Sequence, residues 1–346
     1  MSAPLTVLVG IYSPFAAWNI PAAHVERLRR EFPHHTVLHA ETAAQSLALM
    51  PRADVAFMAE LDAAHLAAAA RLKWVHSPAA GVGGMLFPAM VQSPVLMTNS
   101  RGISAGTIAE HVIAVTLVLF RKLPLAFRSQ AAREWAQNAV LAEPPIRTIA
   151  GAHALVIGLG SIGTASARLL AAFGARVTGI RRRPGHHAAP GASTTQPTPD
   201  TGVQHVAGPE ALLTLLPEAD IVVIAAPETR ETRGLIGQKE LACMRRDAVL
   251  VNVSRGKLVD EAALADALAA PEATRTIGGA ALDVFEREPL PASSPLWSLP
   301  NVVITPHMAG FRPDHWDAVT DLFADNLRRF ETGAQLRNVV DKGEGY

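Results

Sequence analysis

Cysteine is almost missing from this sequence. Cys243 is the single one, so no intrachain disulfide can form and a zinc cage of the usual multi-cysteine kind is excluded. A lone thiol fits a reducing compartment, and a cytoplasmic protein is expected. Excess charge is missing too. The 31 basic and 31 acidic residues balance to a formal net charge of +0, which leaves no global field to attract nucleic acid or anionic lipid. Any anion site must therefore be local. Long apolar runs are absent. The most apolar stretch, Val112 to Phe120, is bracketed by Glu110-His111 and Arg121-Lys122 and is too short to span a bilayer. A buried helix is expected there, with neither membrane nor nucleic acid as a partner. Met1-Ser2-Ala3-Pro4-Leu5-Thr6-Val7 lacks a basic segment followed by a long apolar one, so no secretory signal is expected.

What is present is an ordinary globular balance, 49% hydrophobic and 18% charged over 346 residues, enough apolar material for about two domains of roughly 100–200 residues. Short apolar runs at Leu5 to Gly10, Val37-Leu38, Asp54 to Met58 and Leu72 to Val75 alternate with helical stretches at His24 to Phe32 and Ala63 to Arg71. That rhythm predicts a small α/β domain with a parallel sheet. A long helix is predicted from Thr107 to Leu123, stopped before Pro124. A second series follows, with strands at Ala154–Ile157, Arg176–Ile180, Ile221–Ile224, Ala248–Val253, Gly279–Asp283 and Val302–Thr305. Six strands in this order predict a doubly wound nucleotide-binding sheet. Residues 184–209, rich in Pro, Gly, Ala and Thr, read as a mobile surface loop. Asp314 to Phe330 is a final amphipathic helix.

The first of the second-series strands runs into Gly158-Leu159-Gly160-Ser161-Ile162-Gly163, and a helix follows it. Gly158 permits a tight turn, Gly160 lets the backbone approach a pyrophosphate, and Gly163 lets helix and strand pack closely. The amides at Ser161 and Ile162 open the helix and face the anion. Cofactor choice is read at the end of the next strand. An NAD site places an acid there to bind the ribose 2′-hydroxyl. Here the sequence is Ile180-Arg181-Arg182-Arg183. Guanidinium groups bind a 2′-phosphate that a carboxylate would repel, so NADP(H) is expected over NAD(H), which remains possible. A solvated basic turn is the bland alternative.

Three further segments each follow a predicted strand: Val251-Asn252-Val253-Ser254-Arg255-Gly256, Leu282-Asp283-Val284-Phe285-Glu286-Arg287-Glu288-Pro289 and Thr305-Pro306-His307-Met308-Ala309-Gly310. Loops at the carboxyl ends of parallel strands converge on the ligand crevice. With the glycine motif, Ala80-Gly81-Val82-Gly83, Thr98-Asn99-Ser100-Arg101-Gly102, Ala109-Glu110-His111 and Ser294-Pro295-Leu296-Trp297, these segments resemble the D-2-hydroxyacid dehydrogenase family from about Leu72 to Gly310. Two positions depart from it: Gly83, where the family often has Asp, and Arg181, where NAD-using members have Asp.

The resemblance implies two Rossmann-like domains with doubly wound parallel sheets. The cofactor domain, residues 101–311, is inserted in a substrate domain formed by residues 1–100 and 312–346. It implies hydride transfer between a nicotinamide cofactor and a 2-keto acid/D-2-hydroxy acid pair, with Arg255, Glu288 and His307 as the catalytic trio. The residue types suit that chemistry. Arg255 is always charged, so it can hold the carboxylate or keto oxygen and polarise the carbonyl. An imidazole exchanges a proton near neutral pH, so His307 can donate it in reduction and accept it in oxidation. A carboxylate such as Glu288 beside it favours the imidazolium and fixes the ring. The resemblance also assigns backbone N–H groups around Ala80, Gly81 and Val82 to the substrate carboxylate, alongside Arg255 and His307. Pro227, Thr229, Val253 and Asp283 line the cofactor site, Asp283 at the nicotinamide amide. Trp135 is left open between a pocket position across a homodimer interface and a place in the core. His24, His34, His35, His186 and His187 are read as bland.

Other readings remain on the same scaffold. Formate-oxidising relatives carry Gln where Glu288 stands, which argues against that chemistry, while phosphite oxidation is compatible with the trio. A dinucleotide-sensing binding protein, like the corepressors that resemble this family, is the alternative from another class.

Overall fold

The computed structural model describes residues 3–182, 201–271 and 273–345. The chain divides into two compact units, Met1–Ile103 with Arg312–Tyr346, and Ser104–Phe311.

In the first unit, β1 (Thr6–Gly10), β2 (Thr36–His39), β3 (Val55–Met58), β4 (Trp74–Ser77) and β5 (Leu96–Asn99) form one parallel sheet in the order β2-β1-β3-β4-β5. Val7 stands beside Val37 on one side and Val55 on the other. Most strand residues are buried because both faces are covered, which is why these strands read as apolar runs rather than alternations. The fifth strand, Leu-Met-Thr-Asn, carries two polar residues and was not expected as a strand. The helix His315–Thr332 places Val319, Phe323 and Leu327 four residues apart on one buried stripe. That stripe meets Val7, Phe57 and Trp74, with the Phe323 ring stacked 4.3 Å from Phe57. His34 and His35 gather around Glu331 near the end of the same helix, at 2.6 and 3.1 Å. The Leu5 amide donates to His35 Nδ1, so the neutral ring carries its proton on Nε2. The usual support for a metal-bound imidazole is the reverse, and the cluster reads as a tie made by the His34–Glu331 hydrogen bond.

In the second unit, β6 (His153–Ile157), β7 (Arg176–Ile180), β8 (His205–Ala207), β9 (Ile221–Ile224), β10 (Val249–Asn252), β11 (Gly279–Leu282) and β12 (Val302–Ile304) form a parallel sheet. Its order is β12-β11-β10-β9-β6-β7-β8. Seven strands stand where six were expected. The extra one, His205–Ala207, lies inside the 184–209 stretch read as a loop and pairs with β7, Thr178 beside His205. Three residues at a sheet edge are too short to show a period against a Pro- and Gly-rich background. Residues 184–200 of that stretch lie outside the described residues, as does Arg183.

The helix expected over 107–123 is two helices, Ala105–Phe120 and Leu123–Ala132. The break is made by Lys122 at φ 54, not by Pro124. Pro124 sits in the first turn of the second helix, where a missing N–H costs nothing. Trp135 is 91% exposed, so the core reading for it is wrong. Among the described residues no helix is long and apolar enough to cross a membrane.

Candidate active site

The residues of the expected trio all lie in the second unit, beyond the carboxyl ends of adjacent strands. Arg255 follows β10, Glu288 follows β11 and His307 follows β12. Their loops are drawn together by Gly256. A side chain there would come within 1.8 Å of the Phe285 backbone, so only glycine lets the Arg255 and Glu288 loops touch.

His307 Nδ1 lies 2.6 Å from Glu288 Oε2. Glu288 also accepts from the Phe285 amide at 3.0 Å. Half-burial pushes the Glu288 carboxyl upward, but the hydrogen bonds from His307 and Phe285, with the His307 and Arg255 charges, hold it below the ordinary carboxylate range. Arg255 is half-buried and donates to the Ser254 carbonyl at 2.6 Å. Among the described residues it forms no ion pair, so it can take an anion from outside.

The His307 loop is strained and braced. His307 has φ 52, in the left-handed region that non-glycine residues rarely adopt. Asp283, 3% exposed, holds the loop from below. Its carbonyl accepts the His307 amide at 2.9 Å. Its carboxylate accepts the Met308 and Ala309 amides at 2.9 and 3.0 Å and the Thr305 hydroxyl at 2.6 Å. Thr305 in turn faces His111 Nε2 at 3.2 Å. Because Thr305 spends its proton on Asp283, His111 is the donor. Half-burial lowers the His111 pKa against the pull of the Asp283 charge. Sequence reasoning placed Asp283 at the cofactor and missed this bracing. The signal was present in Ala109-Glu110-His111, which was quoted without a role.

The glycine motif fits a dinucleotide phosphate. Gly158 has φ +95, and a side chain there would meet the Ala226 backbone at 2.6 Å. One at Gly163 would lie 1.8 Å from the Gly158 carbonyl oxygen. Around Gly160 nothing stands within 4 Å of the same position, so the space there is open. Gly160 caps the helix Ser161–Ala172 without a side-chain bond, leaving the first-turn amides at Ser161 and Ile162 to an anion. At the end of β7 the Arg181 amide donates to Ala207, and Arg182 follows on an exposed bend. Val253 is buried beyond β10. Pro227 and Thr229 form a turn closed by Thr232, whose hydroxyl donates to Pro227 at 2.6 Å.

In the first unit, the segment with Ala80, Gly81 and Val82 follows β4. The Asn99 side chain donates to the Ala80 carbonyl at 2.7 Å, and the Ser100 hydroxyl donates to Ser77 at 3.0 Å. Beneath it His76 is wholly buried, its Nδ1 2.7 Å from Thr98 and its Nε2 3.2 Å from Ser100. Burial pushes its pKa down to about 3. Ser100 spends its proton on Ser77, so His76 Nε2 donates to it, and Thr98 donates to Nδ1. One neutral tautomer satisfies every partner. The Gly81 and Val82 amides have no partner among the described residues, which leaves two donors on an ordered loop.

Comparison with known proteins agrees with this arrangement. The family model described as D-isomer specific 2-hydroxyacid dehydrogenase, NAD binding domain, matches residues 113–309. A glyoxylate reductase of Korarchaeum cryptofilum is 32% identical over 289 residues, 82% of this chain and 80% of that protein. A D-3-phosphoglycerate dehydrogenase of Archaeoglobus fulgidus is 32% identical over 282 residues, and the chain spans 50% of its length. Among solved structures, a D-isomer specific 2-hydroxyacid dehydrogenase from Xanthobacter autotrophicus in complex with NADPH and MES is similar. Its TM-score is 0.79 and its identity 30%, with 100% of both chains covered. An NADPH-dependent glyoxylate/hydroxypyruvate reductase from Sinorhizobium meliloti, in complex with NADP and sulfate, has a TM-score of 0.79 at 26% identity, covering 99% of this chain and 100% of that one.

Proposed function

The chain belongs to the D-isomer specific 2-hydroxyacid dehydrogenase family, and on that premise we propose that it is an NADP(H)-preferring reductase of 2-keto acids with His307 as proton donor. Membership itself carries NAD(P)-dependent 2-hydroxyacid oxidoreduction. The observation that carries the finer reading is the 2.6 Å pair between His307 and Glu288, beside an arginine that forms no ion pair among the described residues.

A bound nicotinamide dinucleotide supplies or takes up the hydride at the substrate C2. Because His307 Nδ1 is held by Glu288, Nε2 is the atom left to move the proton. In reduction it gives that proton to the keto oxygen; in oxidation it takes the proton of the hydroxyl. Glu288 stays ionised, holds the ring and stabilises the imidazolium. Arg255 holds the substrate and polarises its carbonyl. The amides of Gly81 and Val82, with Ala80, are assigned to the substrate carboxylate, and Asp283 braces the His307 loop. Gly158, Gly160, Ser161, Ile162 and Gly163 would cradle a pyrophosphate, Val253, Pro227 and Thr229 would line the same site, and the basic run Arg181-Arg182-Arg183 would meet a 2′-phosphate. The NADPH and NADP complexes of the two structural relatives support that preference.

A cytoplasmic homodimer is the assembly we assign. Phe127, Trp135 and Leu141 expose 56%, 91% and 58% of their surface, and large apolar side chains exposed close together in sequence favour a covering partner. The test of function is a steady-state panel of glyoxylate, hydroxypyruvate, pyruvate and larger keto acids, read by NADPH and NADH absorbance. Oxidation of NADPH by at least one acid, lost in His307→Ala, is expected. No turnover with any acid would overturn the reading in favour of a dinucleotide-binding protein.

A further inference from the structure

Three elements of the second unit meet beside the His307 loop. The helix Ala105–Phe120 packs against β11 and β12 and carries His111 to Thr305. Asp283 is the residue after β11, and Thr305 is the residue after β12. The Thr305 hydroxyl lies 2.6 Å from Asp283 Oδ1 and 3.2 Å from His111 Nε2.

Asp283 is 3% exposed, and its charge is met by hydrogen-bond donors. Two are the Met308 and Ala309 amides, and the third is the Thr305 hydroxyl. A buried carboxylate is tolerated only while its donors stay in place. The carbonyl of the same residue accepts the His307 amide. The left-handed turn at His307, φ 52, is therefore held by what Asp283 accepts on either side of it.

Counting protons extends the chain to His111. Thr305 has one proton, and Asp283 takes it. The other contact of Thr305 is a bond only if His111 Nε2 carries a proton. Half-burial lowers the His111 pKa against the pull of the Asp283 charge, so near neutral pH the ring has a single proton to place. On Nε2 it completes the chain. On Nδ1 it leaves two lone pairs facing each other across 3.2 Å. Donation into Thr305 also polarises that hydroxyl and strengthens its bond to Asp283. An imidazolium donates from the same atom, so what matters is the proton on Nε2 and not the charge of the ring.

We propose that His111 is a positioning residue for His307. Its Nε2 proton fixes the Thr305 hydroxyl on Asp283, and Asp283 fixes the backbone that presents His307 to Glu288. The proposal rests on the reading of His307 as proton donor in 2-keto acid reduction. The influence of His111 passes through two intermediaries. It bears on turnover rather than on substrate binding, because Arg255 is not part of the chain.

Variants separate a hydrogen-bond donor from a space-filling side chain. His111→Leu removes the donor, His111→Gln offers an amide N–H at similar reach, and Thr305→Val removes the relay. In His111→Leu, kcat for keto acid reduction is expected to fall about three- to tenfold, the range of one lost hydrogen bond, with KM for the acid little changed. His111→Gln should recover most of that loss. The double variant His111→Leu/Thr305→Val should be no slower than Thr305→Val alone, because both changes cut the same chain. Full turnover in His111→Leu, an equal loss in His111→Gln, or multiplied losses in the double variant would overturn the proposal. A second measurement uses the unaltered protein and needs no turnover. At about pH 8, above the ordinary histidine range, long-range proton–nitrogen correlation spectra read the tautomer of each ring, and the signals that vanish in His111→Gln belong to His111. A proton on Nε2 is expected, and a proton on Nδ1 would overturn the proposal. Should the protein reduce no keto acid, the reductase reading fails, and the tautomer still decides whether His111 holds Thr305.

Discussion

The two units are both parallel α/β sheets, yet they handle polar side chains in opposite ways. In the second unit the candidate catalytic groups stand at the sheet's carboxyl edge, partly exposed, above the buried Asp283. His307 and Glu288 expose 47% and 35% of their side chains. In the first unit the polar groups are folded inward. His76, Thr98 and Ser46 have no exposed surface, and each works through a partner. Buried networks of this kind are worth having only when every member is satisfied. The proton count at His76 shows that its members are. One unit presents side chains for chemistry, and the other fixes which way hydrogen bonds point.

The strongest way to break this division is His307→Ala. Removing the proton carrier should cost about 10²–10⁴-fold in turnover, with cofactor affinity measured by fluorescence titration nearly unchanged. Full activity would move the chemistry elsewhere.

Next in size is the buried histidine of the first unit. Burial depresses His76 to a pKa of about 3, while an unfolded histidine titrates near 6.5. Between those values the unfolded chain binds the extra proton. His76 therefore adds full stability above that window and loses it as pH falls through it, at a slope of about 1.4 kcal/mol per pH unit. Urea unfolding of wild type and His76→Asn between about pH 6 and pH 4 should diverge by that slope. Parallel curves would show that His76 is not held neutral.

A smaller effect is expected at the cofactor. Arg181→Asp should weaken NADPH binding about tenfold or more, since a charge-assisted bond contributes roughly 1.5–3 kcal/mol. NADH binding should change far less. Equal losses, or an NADH preference in the unaltered protein, would remove the basic turn from cofactor choice.

The subtlest test compares Glu288 with its glutamine. The Glu288 carboxyl is held below the ordinary carboxylate range, so its charge is complete above that range and is lost only as pH falls through the depressed value. Glu288→Gln removes the charge at every pH. The alkaline limb of the reductive kcat/KM profile should therefore move toward acid, and the two proteins should converge in strong acid. An unmoved limb would leave Glu288 as a purely structural partner.

Legibility from sequence follows the same division. Arg255, Glu288, His307 and the glycine motif were readable because each sits within a few residues of a strand end, where neighbouring residue types announce the loop. The bracing of His307 by Asp283 was half-legible: the aspartate was singled out, but its partners Thr305 and His111 lie 22 and 172 residues away. Tyr12, Ser46, His65 and Asp62, joined in one hydrogen-bonded chain, carried no joint signal at all, because four unremarkable polar residues scattered along the sequence have no shared motif. The strands β5 and β8 were missed for a local reason, polar content in one and three-residue length in the other.

The order of apolar runs and punctuating glycines by itself determined that this chain builds two parallel α/β sheets, with a phosphate cradle after β6 and a histidine, a glutamate and an arginine at strand ends. Those features depend on residues close together in sequence, whose spacing mirrors the period of helix and strand. Only the tertiary structure decided that Lys122 breaks the long helix, that Trp135 is exposed and that Asp283 and Thr305 brace the His307 loop. Each depends on backbone turns and on contacts between residues far apart in sequence, which packing alone brings together.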